Sequence, residues 1–372
     1  MDERGYIGFV EEVAKNPVDQ IARYVASGRE VIGYMCTYVP EELIYAAGLL
    51  PFRLLGRATQ LSRADRYLQS YCCSHIRGFM EDFLGGDYRE LSGVLFAHTC
   101  DTMQSFCDIF RHNNPEIYTH NLNFPARIDG ETPFRFALHE YVRFRESLER
   151  HIGRAIDAEA LRDAVEVYNR TRSLLSELYA LHAAAQNSLP SVVLLNSVLA
   201  SMFMDKREFN ERLAGFLEEL KSSSEADSSV RKRVLLVGSV NIRGDVYDLI
   251  DDNGAKVVDD DLCTGRRYFD GQVEEPTDES ILRRYFDRAH CPAKYRTTYS
   301  RAEYLCQLAR DRKVDGVLFL HIKFCDPHAF DYPYLKEALE REGVRTHMIE
   351  MEHFLAAGGQ LGTKVQAFVE LL

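Results

Sequence analysis

Two short stretches, far apart in the chain, resemble each other closely enough to constrain the fold. Residues 93–101 read GVLFAHTCD and residues 316–326 read GVLFLHIKFCD, so each has a glycine, an apolar run, a histidine and then Cys-Asp. Such a continuous apolar run is typical of a strand that is buried in a parallel sheet. The repetition therefore predicts two similar sheets, each presenting a Cys-Asp pair where a strand gives way to a helix.

The rest of the chain alternates strands and helices on both sides of a helical stretch. A chain of 372 residues is too long for one ordinary core. Further strands are indicated at 31–35, 233–240 and 256–262, and residues 222–229 (SSSEADSS) look like a linker. We expect an α/β protein with mostly parallel sheets, divided into an N-terminal α/β domain (1–134), a helical segment with linker (135–229) and a C-terminal α/β domain (230–372).

Charge and hydropathy exclude several classes of partner. The net charge of −12 argues against nucleic acid or an anionic membrane as the main partner. The N-terminus carries charges where a signal peptide needs an apolar stretch, and the longest apolar tract, SVVLLNSVLASMFM, is too short to span a bilayer. We therefore expect a cytoplasmic protein whose nine cysteines are mostly reduced and serve metal binding, redox work or core packing.

Five cysteines fall at predicted strand-to-helix turns or helix starts. Ligands of parallel sheets bind at the carboxyl ends of the strands, and helix N-termini stabilise thiolates and anionic clusters. The alternative is that small thiols merely fill space near strand ends. Since the chain has no CxxC pair, compact zinc and ferredoxin sites are unsupported, and single cysteines from two domains suit an iron–sulfur cluster in the cleft between them. The five are Cys36, Cys73, Cys100, Cys263 and Cys325.

The remaining cysteines carry weaker signals. Only one of the adjacent Cys72 and Cys73 is expected to be a ligand, and Cys107 fits an ordinary core stripe of a helix. Cys291 and Cys306 have no partner signal, and we interpret both as structural or incidental.

The other polar candidates have simple alternative explanations. His98 and His321 occupy equivalent places in the repeated strands, where a hydrogen-bonded strand residue is commoner than a proton donor, so they are weak catalytic candidates. Arg266, Arg267 and Lys323 are able to contact a phosphate or acyl-CoA, although a solvated loop is the simpler interpretation. Neither GxxxxGK[ST] nor GxGxxG occurs, so we expect no ATP hydrolysis or NAD binding by this chain.

Several motifs in order along nearly the whole chain resemble one family. They are VIGYMCTYVPEELIYAAGLLPFRLLG, YLQSYCCSHIRGF, LSGVLFAHTCDTMQ, DDDLCTGRRYFDG, HIKFCDP and GQLGTKVQAFVE. The chain thus resembles the iron–sulfur subunits of the benzoyl-CoA reductase and 2-hydroxyacyl-CoA dehydratase family. The resemblance implies two Rossmann-like domains embracing a [4Fe–4S] cluster held by Cys73, Cys100 and Cys325 in the inter-domain cleft.

The resemblance also implies partners and a reaction class. These are an ATP-hydrolysing iron–sulfur activator, a homologous subunit or second copy forming a dimer, and an acyl-CoA substrate that is dehydrated or reduced at low potential. A related branch holds an [8Fe–9S] double-cubane cluster with additional cysteines and reduces small molecules. Cys36 and Cys263 bring the cleft to five cysteines, and that branch would need a sixth, Cys107 or Cys72. A non-catalytic partner subunit and a thiol-redox or zinc-storage protein are the remaining alternatives.

Overall fold

Two all-parallel sheets of four strands each organise the chain. The structure, a computed structural model, describes residues 3–184, 189–222, 231–288, 291–296, 300–352 and 359–372. The strands of the first sheet are β1 (Val31–Tyr34), β2 (Leu50–Arg53), β3 (Gly93–His98) and β4 (Tyr118–Asn123). Those of the second are β5 (Lys232–Gly238), β6 (Ala255–Asp261), β7 (Gly316–Ile322) and β8 (Arg345–Met351). The predicted α/β class with parallel sheets is confirmed.

The two sheets have the same topology. Their strand orders are β2-β1-β3-β4 and β6-β5-β7-β8, so the two repeated sequence stretches form the equivalent inner strands β3 and β7. Gly93 and Gly316 begin these strands and pair with Tyr118 and Arg345 at the start of the outer strands β4 and β8. The sequence repetition therefore reflects a repeated architecture.

Fifteen α-helices occur within the described residues. The first sheet is accompanied by α1 (Glu3–Lys15), α2 (Pro17–Ala26), α3 (Glu41–Ala46), α4 (Ser74–Gly85) and α5 (Asp101–Asn113). The helical segment contains α6 (Glu131–Ile152), α7 (Ala158–Ala183), α8 (Val192–Phe203) and α9 (Lys206–Ser222). The second half contains α10 (Asp245–Asp252), α11 (Arg266–Phe269), α12 (Asp278–Asp287), α13 (Arg301–Asp311), α14 (Asp326–Arg341) and α15 (Gly359–Glu370).

Local chemistry explains where the elements differ from the sequence patterns. The amphipathic stretch at the N-terminal end is divided into α1 and α2, because Pro17 lacks an N–H and disfavours helical geometry at Asn16. The apolar tract predicted not to span a membrane forms α8, which is buried in the protein. No helix in the described ranges is long and apolar enough to cross a membrane. Of the predicted linker 222–229, residues 223–229 lie outside the described residues.

The long connection between β6 and β7, residues 262–315, packs against the first half of the molecule. We call it the β6–β7 connection. Its helix α12 lies on α6, and Phe286 contacts Phe124 and Phe134 with ring centroids 5.2 Å apart in both pairs. Tyr285 donates a hydrogen bond to the Glu42 carboxylate at 3.2 Å. The connection thus carries residues of the second half into the core of the first.

Candidate metal centre

A cavity of about 450 Å³ lies where the turns after β3 and β7 meet. The turn after each repeated strand contributes its Cys-Asp pair, and a third thiol comes from the start of α4. This agrees with the rule that ligands of parallel sheets bind at the carboxyl ends of strands. Its lining residues are Cys73, Thr99, Cys100, Asp101, Thr102, Pro292, Ala293, Phe324, Cys325, Asp326, Pro327, Phe330 and Asp331.

Cys73, Cys100 and Cys325, which we call the first thiol set, each occupy the N-cap position of a helix. They precede α4, α5 and α14, respectively. Ser74, Thr99 and Asp101 beside these cysteines are residue types that commonly cap helices, but in the structure the cysteine itself stands at the cap. Three positive helix ends therefore converge on one cavity, which is an arrangement that favours an anionic occupant.

Burial keeps these thiols protonated in the absence of a bound cation. It raises the pKa of Cys73 to about 11 and of Cys100 to about 12, and it raises the pKa of Cys325 further. None of the three sulfurs accepts a capping hydrogen bond. The backbone N–H of the third residue of each helix nevertheless lowers the pKa of the thiol and partly offsets the rise caused by burial. Those residues are Ile76, Met103 and His328. A metal bound here would therefore displace protons from the thiols.

The two Cys-Asp turns reach the cavity by different routes. Cys100 is the second residue after His98, whereas Cys325 is the fourth after His321, so the second turn is two residues longer. The longer turn contains Phe324 in a left-handed conformation, with φ of 65°. A bulky residue is strained in this conformation. Cys325 follows this strained residue directly and lies at the cavity wall.

A second group of cysteines, Cys36, Cys263 and Cys291, lies beside the first, and we call it the second thiol set. Cys36 follows β1 and accepts a hydrogen bond from the Thr99 hydroxyl, with an oxygen-to-sulfur distance of 3.7 Å. Cys263 lies at the start of the β6–β7 connection, and Cys291 lies near its middle. Burial raises the pKa of Cys291, and the nearby Cys263 and Cys36 raise it further. Electrostatic interactions of Cys100 with Cys36 and Cys291 link the two sets.

Cys291 is the member that sequence reasoning missed. Its surroundings in the sequence, HCPAKYR, contain no ligand spacing, and it reaches the cleft only because the β6–β7 connection folds across the first half. The double-cubane alternative needs a sixth cysteine at the cleft, for which the sequence offers Cys107 or Cys72. Instead, Cys107 is completely buried in the hydrophobic core, as its stripe predicts, and Cys72 is buried beside Cys73 without lining the cavity.

The predicted loop arginines are ion-paired rather than solvated. Asp259 and Asp261 on β6 are fully buried, and Arg266 and Arg267 pair with them at 2.5 and 3.2 Å. The solvated-loop interpretation of these arginines is therefore wrong, because their charges are already satisfied by a buried acidic strand. Arg267 also donates to the Cys263 sulfur at 3.5 Å.

The two histidines of the repeated strands lie near the cavity but do not line it. Burial and the neighbouring Lys294 lower the pKa of His98, and burial lowers the pKa of His321. The buried Nδ1 of His321 forms no hydrogen bond within the described part of the chain. Proton transfer by either residue stays a prediction.

The donor set fits a cluster better than a single ion. No group of three or more His, Cys, Asp or Glu side chains among the described residues is arranged to hold one metal ion. Thiolates around a single zinc lie within about 4 Å of one another, whereas the thiolates of an iron–sulfur cluster bind different irons and lie farther apart. The cavity is many times larger than the roughly 30 Å³ share of one water. Three thiols at helix N-termini around it suit a bulky, anionic, thiolate-ligated group.

Comparisons with known proteins agree with this chemistry. The family model described as 2-hydroxyglutaryl-CoA dehydratase, D-component, matches residues 36–372. The chain is 29% identical to the (R)-phenyllactyl-CoA dehydratase beta subunit of Clostridium sporogenes, over 97% of both chains. It is 27% identical to the (R)-2-hydroxyglutaryl-CoA dehydratase, subunit beta, of Acidaminococcus fermentans, over 97% of both chains. It is 28% identical to one of the subunits of the benzoyl-CoA reductase of Thauera aromatica, over 83% of this chain and 82% of that one.

Proposed function

The chain belongs to the 2-hydroxyglutaryl-CoA dehydratase D-component family, and from this premise we propose that it is the iron–sulfur subunit of a low-potential acyl-CoA dehydratase or reductase. That it is an enzyme component of this kind agrees with its relatives, whose names describe subunits of acyl-CoA dehydratases and of a benzoyl-CoA reductase. The observation that carries the finer proposal is the first thiol set, in which three N-cap cysteines line one cavity.

Cys73, Cys100 and Cys325 would hold a [4Fe–4S] cluster. Such a cluster, when bound, supplies single electrons at low potential and an iron that is open to an outside ligand. The helix ends behind the three sulfurs favour its negative charge. On the open side, Pro292, Ala293, Pro327 and Phe330 give the cavity an apolar wall that limits competing water.

The acyl-CoA thioester is the substrate class that the relatives support. The described ion pairs occupy Arg266 and Arg267, which leaves Lys323, next to the cavity-lining Phe324, as the candidate contact for a substrate phosphate among the three basic residues considered. ATP hydrolysis is assigned to a separate iron–sulfur activator, since this sequence has no nucleotide motif.

A homologous subunit or a second copy of this chain is the proposed partner at the mouth of the cavity. Phe330 lines the cavity and is 85% exposed, and Tyr334, one turn later on α14, is 53% exposed. Exposed aromatic side chains are enriched in subunit interfaces. Sedimentation analysis of the chain with and without a Phe330→Ser, Tyr334→Ser double substitution tests this, and an unchanged dimer would place the interface elsewhere.

The cluster proposal is tested by iron and acid-labile sulfide per chain after anaerobic purification. We expect about four irons per wild-type chain for one cubane and a loss of iron in Cys73→Ala. Cys72→Ala is the matched control, because it removes the adjacent thiol, and it should keep the wild-type iron content. Zinc alone, or no iron, would overturn the proposal and favour the thiol-redox or zinc-storage alternative.

A double-cubane reductase is the second candidate, and the second thiol set favours it. With Cys291, six cysteines now lie at the cleft, which supplies the sixth thiol that this alternative needs. It predicts about eight irons per chain and a fall to about four in Cys291→Ala. An unchanged value of about four irons in wild type and Cys291→Ala would eliminate it in favour of the single cluster.

A further inference from the structure

Two buried cations beside the second thiol set have no carboxylate partner among the described residues. Lys294 is 5% exposed and Arg288 is 4% exposed. By contrast, the arginines next to the acidic strand β6 are paired with Asp259 or Asp261. An unpaired buried charge is costly, so these two cations call for an anion nearby.

Hydrogen bonds fix both cations at the boundary between the two halves. Arg288 donates to the carbonyl of Thr37, next to Cys36, at 3.0 Å, and to the carbonyl of Arg267 at 2.9 Å. Lys294 donates to the carbonyl of Phe124 at 3.1 Å. Both stack on the buried ring of Tyr38, at 4.5 Å for Arg288 and 5.4 Å for Lys294. Neutral carbonyls and a ring satisfy donors but leave the net charge uncompensated.

The thiols that interact with Lys294 come from both sets. The lysine interacts electrostatically with Cys291, Cys36 and Cys100. Lys294 also follows directly on Pro292 and Ala293, which line the cavity. The segment 292–294 therefore carries a positive charge to the wall that both thiol sets share.

We propose that Lys294, supported by Arg288, balances the charge of an anionic iron–sulfur group at the two thiol sets and raises its reduction potential. This inference rests on the proposed function but adds a role for residues that no ligand assignment requires. A fixed positive charge stabilises the reduced, more negative state of such a group more than the oxidised state. Lys294 is therefore not a ligand of the iron–sulfur group, and it acts on the reduction potential electrostatically, through space.

The test is a spectroscopically monitored redox titration of the anaerobically reconstituted full chain. Lys294→Met removes the charge and keeps most of the side-chain volume, and Lys294→Arg keeps the charge. Lys336→Met is the control, because Lys336 lies on α14 with 44% of its side chain exposed. We expect a more negative midpoint potential in Lys294→Met, and wild-type potentials in Lys294→Arg and Lys336→Met.

The midpoint potential and the iron content of the variants together show whether the proposal holds. A wild-type potential in Lys294→Met with unchanged iron content would overturn the proposal. Lys294→Met could instead lose iron while its iron-free form keeps the wild-type thermal unfolding curve. In that case, full iron in Lys294→Arg would support the proposal, and loss of iron in both variants would overturn it. A wild-type chain that binds no iron would overturn the proposed function itself, and this failure is visible before any variant is compared.

Discussion

The two halves of the molecule share a strand order but differ in how the second strand connects to the third. In the first half, residues 54–92 stay close to their own sheet, and the Glu81 carboxylate on α4 accepts hydrogen bonds from the backbone N–H groups of Ser62, Arg63 and Ala64. In the second half, the β6–β7 connection leaves its sheet and joins the core of the first half. A repeated topology thus builds an unsymmetrical cleft, because the strands are repeated and the connections are not.

The difference also distributes the cysteines. Each half contributes three of the six thiols at the cleft, but Cys36, Cys73 and Cys100 follow separate elements of the first half, whereas Cys263 and Cys291 both belong to the β6–β7 connection. The turns after β3 and β7 remain comparable, because each brings one Cys-Asp pair to the cavity. Substitutions in the two halves test whether these turns are equivalent in function.

The largest expected effect is loss of the cluster from either repeated turn. Cys100→Ala and Cys325→Ala should each reduce bound iron to background, because two thiolates do not replace three in holding a cubane. Iron and sulfide analysis measures this, with Cys107→Ala and Cys306→Ala as controls for a buried thiol outside the cleft in each half. Retention of iron in one of the two cap variants would break the equivalence of the turns.

The next effect concerns Glu42 on α3, which pairs with Arg172 on α7 and accepts a hydrogen bond from Tyr285 of the β6–β7 connection. Glu42 is fully buried, and although burial raises its pKa, Arg172 and Arg284 lower it below the ordinary value. Glu42→Gln should reduce the free energy of unfolding by about 3–5 kcal/mol, since it leaves the buried Arg172 unpaired. Chemical denaturation measures it, and the exposed Glu159→Gln on α7 should change little. A loss below about 1 kcal/mol would show that the contact adds little to stability.

The paired glycines give a smaller and graded difference. A Cβ at Gly93 would lie 2.8 Å from the carbonyl oxygen of Tyr118, whereas one at Gly316 would meet side chains, those of Leu372 at 2.4 Å and Phe368 at 2.9 Å. Because side chains repack more easily than a paired strand moves, Gly93→Ala should cost about 1–3 kcal/mol and Gly316→Ala less. Thermal or chemical unfolding of both variants checks the order, and the reverse order would contradict it.

The smallest effect is a pH dependence shared by one buried acid in each half. Burial raises the pKa of both Asp82 and Asp260 to about 6. The folded state therefore holds these protons more tightly than the unfolded chain, whose aspartates titrate near 3.9, so stability from them is present below about pH 4 and is lost as the pH rises to about 6. Asp82→Asn and Asp260→Asn should lack this loss.

Denaturation at pH 5 and pH 7.5 measures the difference. Relative to wild type, each variant should gain about 1–1.5 kcal/mol of stability on going to the higher pH, because about half of the wild-type loss is already complete at pH 5. The control is Asp108→Asn, on the exposed face of α5. Replacing the exposed Asp157 would be a poorer control, because its side chain caps α7 and its loss would itself lower stability. A response of Asp260→Asn alone would mean that the two halves bury their acids differently.

The sequence predicts the inner strands and their turns well because these carry strong local signals. β3 and β7 are continuous apolar runs, and the cysteines at the ends of the strands mark the cavity. The outer strands β2 and β4 are harder to recognise, since Pro51 interrupts one and polar residues dominate the other. Both lie at the edges of the sheet, where packing demands less of the sequence.

The parts of the site that were not predicted depend on long-range packing. Cys291, Lys294 and Arg288 have no distinctive spacing, and they meet Cys36 only because residues far apart in the chain fold together. The burial of Glu41 and Glu42 shows the same limit, since two acids in a first helical turn look solvated but pair with Lys206 and Arg172. Helix propensity predicts where the helix forms, whereas tertiary contacts determine which groups its side chains pair with.

The path of the β6–β7 connection has a consequence for synthesis on the ribosome. The first sheet and α6 are complete by residue 152, more than a hundred residues before α12 is made. Until then, the aromatic surface around Phe124 and Phe134 that Phe286 later covers stays open on the nascent chain. Exposed apolar surface on an incomplete fold invites aggregation. The interval between the synthesis of these two segments is thus a period in which the growing polypeptide exposes this surface to aggregation.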